Sequence, residues 1–211
     1  MRLDEARKDL YRRLAKEQGY KSRAAYKLLE TARKYQLIKR GDVVLDFGAA
    51  PGGWLQVAAQ AVGNTGLVVG VDLEAVSLDE ENVVTIQSNV NSPELFVKLE
   101  KALPRKADVV LSDLAPQVTG VWDLDHFRQI EITMTAVGLM GAFLRPGGNA
   151  LVKVFDGERF VETRSELAKR FQKVQVTKPK ASRPASSELF LVCLGYKGQP
   201  LSGEVAPTFS T

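Results

Sequence analysis

Hydrophobic positions along this chain switch repeatedly between two periods. From Val43 to Tyr196, short runs of branched apolar residues alternate with stretches whose apolar positions recur every three to four residues. That is the pattern of strands separated by helices. The runs predict strands at 43–46, 67–72, 83–87, 107–113, 149–155, 174–177 and 188–196. Helices are predicted over 54–62, from Ser92 as N-cap to 103, from 126 to 144, and over 158–171. Pro146-Gly147-Gly148 reads as the turn into the fifth strand. The fourth run is apolar almost throughout, which predicts a central strand. Ahead of these, Leu3, Ala6, Leu10 and Leu14 make a narrow stripe on a helix over 3–17, ended by Gly19. Ser22 is the predicted cap of a second helix carrying Ala24, Ala25, Leu28, Leu29 and Ala32. Alternating elements of this kind imply an α/β fold, a mostly parallel sheet with helices on both faces. Residues 178–187 read as a polar loop with Pro179 and Pro184, and 198–211 as a flexible tail after one domain spanning 1–197.

In such a sheet, ligands bind beyond the carboxyl ends of the strands. Asp46, Asp72, Asn89, Asp113 and Asp156 end or closely follow successive predicted strands. Turn propensity accounts for one or two of them; five predict a site. The first strand runs into Asp46-Phe-Gly-Ala-Ala-Pro-Gly-Gly-Trp54 and then a helix, a unit able to cradle a nucleotide on backbone amides. Its glycine spacing is not that of a dinucleotide site, which turns the reading away from a nicotinamide oxidoreductase and toward S-adenosylmethionine. Asp72, ending the next strand, can accept from both hydroxyls of an adenosine ribose. Asn89 can read the adenine edge, accepting from its amino group. Trp54 offers a flat surface beside the loop. Lys153 interrupts the run Ala-Leu-Val-Lys-Val-Phe, a costly position for a charge unless it is paired. It reads as a lysine held between carboxylates at a reaction centre. Ala115-Pro116 after Asp113 keeps the backbone extended and the strand end open.

Composition changes the picture in three ways. The 211 residues carry a net charge of +4, but residues 1–40 alone carry +8 and the rest −4. A basic lobe on a mildly acidic body points to a polyanion partner. One cysteine, Cys193, and one histidine, His126, give no basis for a disulfide or a metal site. Cys193 sits in an apolar run and reads as a buried, inert thiol, and His126 as structural or a minor substrate contact. There is no membrane-spanning run and no signal peptide, which predicts a cytoplasmic protein with no membrane partner.

Five segments occur in order: Ser22–Leu28 (SRAAYKL), DFGAAPGGW, Ser112–Pro116 (SDLAP), Val152–Phe155 (VKVF), and Ser182-Arg183 through Ser187-Glu188. Together they make the chain resemble the FtsJ/RrmJ family of ribose 2′-O-methyltransferases over about residues 8–197. The resemblance implies a Rossmann-like methyltransferase fold with a seven-stranded sheet, and S-adenosylmethionine as cofactor. It implies methylation of a ribose 2′-hydroxyl in RNA, with a uridine of large-subunit ribosomal RNA as the leading substrate. Transfer RNA or an mRNA cap as substrate, and a non-catalytic RNA-binding role in ribosome assembly, are the alternatives. No obligate protein partner is implied. The family's Lys-Asp-Lys-Glu tetrad falls on Lys27, Asp113, Lys153 and Glu188, and its cofactor contacts on Gly52, Trp54, Asp72 and Asp113. Asn89 stands where the bacterial pattern has an aspartate, and the stretch from Gly120 to His126 looks more like archaeal and eukaryotic members. Lys153 is assigned to the 2′-hydroxyl, as base or as orienting group, and Lys27 to a phosphate or to the tetrad. The basic helices of 1–40, with Lys178, Lys180 and Arg183, are the expected RNA track.

Overall fold

A computed structural model describes residues 3–183 and 186–198. Seven strands form one sheet in the order β3-β2-β1-β4-β5-β7-β6. They are β1 (Val43–Phe47), β2 (Leu67–Asp72), β3 (Val83–Gln87), β4 (Ala107–Ser112), β5 (Leu144–Phe155), β6 (Phe171–Thr177) and β7 (Glu188–Tyr196). The pairings β1–β2, β1–β4, β2–β3 and β4–β5 are parallel. β7 runs antiparallel to both neighbours, β5 and β6. The helices are α1 (Leu3–Glu17), α2 (Ala25–Tyr35), α3 (Gly53–Val62), α4 (Pro93–Ala102), α5 (Trp122–Phe143) and α6 (Phe160–Arg170).

Alternation along β1 sorts the core into two layers. Val43, Leu45 and Phe47 pack with Leu95, Leu99, Val137, Met140 and Leu167 from α4, α5 and α6. Val44 faces the other way, with Leu28 of α2 and Leu55, Ala58 and Val62 of α3. The sheet is therefore covered on both faces, which is why β1 and β4 are buried along their whole length. On α5, His126, Gln129, Ile130, Thr133, Val137 and Met140 are all buried, spaced as one helical face. Gln129 donates its side-chain amide to the Lys153 carbonyl at 3.2 Å, which ties α5 to the strand that carries Lys153.

The sequence places every strand and helix, and several boundaries move. α5 begins at Trp122, not 126. Asp125 accepts from Thr119 N and Oγ1, both at 2.8 Å, and from Gly120 N at 3.0 Å, so polar residues that look like loop fasten the helix start to the loop before it. β5 begins at Leu144 because Pro146-Gly147-Gly148 lies inside a bulged stretch: pairing with β4 shifts register between Ala107 and Val109. β6 begins at Phe171, and α6 is correspondingly shorter than its prediction. Ser22 does not cap α2; Ala24 is the N-cap, and no side chain bonds there. Successive turns, Ala25 N to Ser22 O and Tyr26 N to Arg23 O, each 3.2 Å, lead into that helix instead. Ser92 occupies its N-cap position without a side-chain bond. The expected apolar stripe members Leu3 and Ala6, Pro184 of the late loop, and the tail beyond Gly198 lie outside the described residues or side chains. Cys193 is buried, and burial pushes its thiol far above the ordinary range. Among the described residues no helix is long and apolar enough to cross a membrane.

Candidate active site

The parallel strands deliver their carboxyl ends to one rim, and a cavity of about 480 Å³ opens there. Gly48, Ala50 and Pro51 line it from the loop after β1, Asp72 and Glu74 from the end of β2, Ser88 and Asn89 from β3, and Asp113 and Leu114 from β4. Its size suits a nucleoside-containing ligand. Gly48 makes the cradle possible. It holds φ +81°, and a Cβ on it would sit 2.9 Å from the Leu114 amide nitrogen. Only glycine lets the two loops cross so closely. Asp113 N donates to Phe47 O at 3.0 Å and fastens the same crossing.

The polar linings are preorganised. Asp72 accepts from Ala50 N and from Glu74 N, each at 2.9 Å, one bond per carboxylate oxygen. Lone pairs on both oxygens remain for two vicinal hydroxyls. Asn89 Oδ1 accepts from Asn91 N at 2.9 Å. That bond assigns the amide orientation and leaves Nδ2 as a donor, so Asn89 suits a ring nitrogen of a purine as well as an amino group. The expected strand-end set therefore divides. Asp72, Asn89 and Asp113 line the cavity. Asp156 is exposed and donates its N–H to Ser187 O at 2.7 Å. Asp46 is fully buried, and neither of its carboxylate oxygens has a hydrogen-bond partner. Burial, with Asp113 and Asp72 adding repulsion, pushes its carboxyl well above the usual range.

Two other expected contacts do not line this cavity. Trp54 is only 3% exposed. Its indole N–H donates to Ala24 O at 2.9 Å and its ring packs 5.9 Å from Phe190, so it braces α3 against α2 and is not among the residues lining the cavity. Gly52, at φ +110°, caps α3, and a Cβ there would press on Val76 and Leu78. It too is not among the residues lining the cavity. Gly53 next to it gives way to Ser22, whose Oγ a Cβ would strike.

Beside Asp113 the four residues of the expected tetrad come together. Lys153 Nζ lies 3.0 Å from Asp113 Oδ1 and donates to the Asp113 carbonyl at 2.6 Å. Lys27 Nζ lies 2.8 Å from Glu188 Oε2 and 5.5 Å from the centre of the Phe190 ring. Phe190 is the register partner of Lys153, and Glu188 that of Phe155. Burial pushes the Glu188 carboxyl up, but Lys27, by charge and by hydrogen bond, then Lys153 and Ser186, outweigh it and hold the group below its ordinary value. Lys27 and Lys153 are both buried. Two buried cations, each matched by a carboxylate, at the edge of a nucleoside-sized cavity make a built reaction centre rather than a fortuitous ion pair.

Basic groups flank it. Arg12, Lys16, Lys21 and Arg23 line a second concavity with Tyr20 and Ser22. The Arg23 guanidinium is pushed below its ordinary value by burial and by the nearby Arg183 and Arg12, while Glu188 opposes this. The late loop docks on α2 through Lys180 N to Glu30 Oε2 at 2.8 Å. His126 is buried; its Nε2 accepts from Arg159 N at 3.3 Å. Among the described residues no group of three or more His, Cys, Asp or Glu could hold a metal ion.

A mostly parallel sheet with a nucleoside cavity and a lysine–carboxylate cluster along one rim defines a Rossmann-like methyltransferase. The chain belongs to the FtsJ-like methyltransferase family, whose model matches residues 20–196. It is similar to the ribosomal RNA large subunit methyltransferase E of Cenarchaeum symbiosum, at 50% identity over 94% of this chain and 100% of that protein. The protein of the same name from Nitrosopumilus maritimus is 44% identical over the same shares. A solved structure from Plasmodium falciparum, described as a ribosomal RNA methyltransferase, superposes with a TM-score of 0.78 at 32% identity, over 85% of this chain and 100% of that one. The Methanococcus jannaschii fibrillarin pre-rRNA processing protein, at 18% identity and a TM-score of 0.57 over 82% of this chain and 76% of its own, shares the fold. S-adenosylmethionine is the cofactor of this methyltransferase, and the cavity fits it: a carboxylate with two lone pairs to spare, an amide donor, and backbone loops that a side chain would block.

Proposed function

We propose that the protein transfers a methyl group from S-adenosylmethionine to a ribose 2′-hydroxyl of RNA, and that its substrate is large-subunit ribosomal RNA, with a uridine as the target nucleotide. The observation that carries this reading is Lys153, buried within a strand and held by both the carboxylate and the carbonyl of Asp113 at the cavity edge. The names of the relatives support ribosomal RNA as the substrate.

When bound, the cofactor supplies a methyl group on a cationic sulfur. Asp72 and Asn89 are assigned to its ribose and adenine, with Gly52 and Trp54 shaping the loop behind. The Lys153 ammonium donates to the Asp113 carbonyl and forms an ion pair with its carboxylate. A remaining donor is assigned to the 2′-oxygen of the substrate, fixing one lone pair so that another points along the transfer path. Glu188, kept charged beside Lys153, and Lys27, which anchors Glu188, hold that geometry. RNA phosphates dock on Arg12, Arg23 and Arg183 and on the basic surface of α1 and α2, with Lys178 and Lys180 of the late loop extending the track. Residues 1–197 act as one methyltransferase domain in the cytoplasm.

The test is transfer of labelled methyl to large ribosomal subunits, naked large-subunit rRNA and bulk tRNA. Lys153→Ala should lose roughly 100-fold or more in rate, the range for removing one preorganised donor, while still binding S-adenosylhomocysteine. Wild-type turnover by that variant would sink the assignment. Label appearing in tRNA alone would replace the substrate.

A further inference from the structure

The mechanism leaves unused a group of rings at the mouth of the site. Trp122 opens α5 and is 48% exposed. Its indole lies nearly parallel to two other rings: His126 at 5.8 Å and 19°, and Phe155 at 6.1 Å and 19°. Phe155 ends the strand that carries Lys153, two residues further on, and is the register partner of Glu188. The indole is therefore anchored to the reaction centre through a single side chain. It is also held still. His126 beneath the helix is buried and bonded to Arg159 N, and Asp125 clamps the preceding loop by its three hydrogen bonds. Arg159 lies 5.6 Å over the exposed Phe127 ring, placing a cation beside the same rim.

A large ring usually hides in a core. This one is fixed in a parallel stack, half open to water, next to the group that orients a ribose. A flat, rigid, sequence-tolerant surface flanked by a guanidinium is how proteins hold unpaired bases. Val121, Leu124 and Phe127 are exposed in the same stretch, but so are the charges of Asp123 and Arg128, and Arg159 lies over Phe127; a fixed ring beside cations favours a nucleic-acid base over an apolar protein face.

We propose that Trp122 is the platform on which an unpaired RNA base, immediately next to the target ribose, stacks during methyl transfer. This rests on the ribose-methylation reading of the site. Stacking would pull that base out of its own helix and turn the neighbouring 2′-hydroxyl toward Lys153. The enzyme would then prefer single-stranded or locally opened RNA over a continuous duplex.

The experiment uses the full chain with Trp122→Phe, Trp122→Leu and Trp122→Ala. First, a 12-mer oligouridylate is titrated in the presence of S-adenosylhomocysteine, reading tryptophan fluorescence and, separately, anisotropy of the labelled RNA. Trp54 is the only other tryptophan and is buried, so quenching reports on Trp122. The expected result is strong quenching in the wild type, lost in all three variants. An abasic oligomer of the same length should bind without quenching. Second, methyl transfer to large-subunit rRNA is compared. Stacking strengths of roughly 1–3 kcal/mol per base correspond to about 5- to 150-fold in kcat/KM for Trp122→Ala. Trp122→Phe should stay within about threefold of wild type, and Trp122→Leu, which keeps apolar bulk without a ring, should fall with Ala. If Trp122→Ala fails to fold, the Phe and Leu pair decides.

Equal activity in Phe and Leu overturns the platform, as does wild-type kcat/KM in the Ala variant or equal quenching by duplex RNA. If no RNA is methylated yet oligouridylate still quenches Trp122, the platform stands and the methylation reading falls. If rRNA is methylated with no dependence on Trp122, the reverse holds.

Discussion

Lys27→Met separates the structural share of the lysine–carboxylate cluster from its chemical share. Lys27 and Glu188 lie 2.8 Å apart, with side chains 7% and 25% exposed. Removing one partner of a buried pair leaves the other charge uncompensated, at a cost of about 3–5 kcal/mol. Water reaches a quarter of Glu188, so the lower end, about 3 kcal/mol, is expected. Methionine keeps the stem that packs on Phe190, which limits any loss from the cavity itself. For a domain of this size the deficit corresponds to a fall in Tm of roughly 6–12 °C. The double variant Lys27→Met/Glu188→Leu replaces both charges by apolar groups and should recover at least half of the loss. Acidity supplies an independent check. In the wild type, Glu188 is held below its ordinary value, so its contribution is present above the unfolded pKa and is lost as pH falls through the folded one. Without Lys27, burial is opposed more weakly, by Lys153, Ser186 and the nearby Arg23, so the carboxyl moves upward and the deficit of Lys27→Met should shrink toward pH 4. Urea denaturation of the four-member cycle at pH 7 and pH 4 reads both effects. Losses that simply add in the double variant, or a deficit indifferent to pH, would refute the reasoning. Methyl transfer should stay low in the double variant even where stability returns.

Asp46→Asn should raise Tm at neutral pH and leave it unchanged near pH 3.5. A carboxyl with a raised folded pKa favours folding below its unfolded value, and that advantage declines as pH rises through the folded one. The difference in Tm between variant and wild type across pH 3.5–8 checks it, and a difference that does not grow with pH refutes it. RNA affinity should fall linearly in log–log terms with salt, by a slope near −0.7 per phosphate neutralised on single strands. Arg23→Ala or Arg183→Ala should each make that slope shallower by about one contact, as measured by anisotropy from 50 to 300 mM KCl; an unchanged slope removes them from the RNA track.

Legibility followed burial. Strands such as Val43–Phe47 and Ala107–Ser112 are covered on both faces, so their sequences are continuous apolar runs that stand out without a structure. Lys153 stood out for the same reason in reverse, as a charge where the period demands an apolar group. Trp54 and Ser22 turn inward, where their usual roles are surface roles. Here they face each other's elements, Trp54 bonding to Ala24 and Ser22 packed on Gly53, and no local pattern encodes which helix meets which. The start of α5 was hidden because Asp123 and Asp125 read as loop, although Asp125 reaches back to bond the residues before it. The direction of β7 is invisible in its composition: an antiparallel strand buried on both faces reads like a parallel one.

That direction has a further consequence. Because β7 runs against β5, its first residue rather than its last arrives at the catalytic rim, and Glu188 reaches Lys27 across 161 positions of sequence. During synthesis, Lys27 waits through the emergence of nearly the whole sheet before its carboxylate partner leaves the ribosome. The residues lining the cofactor cavity, up to Ile132, are all synthesised before Glu188. β7 is thus the last strand of the sheet to be synthesised and the one that supplies the carboxylate completing the reaction centre.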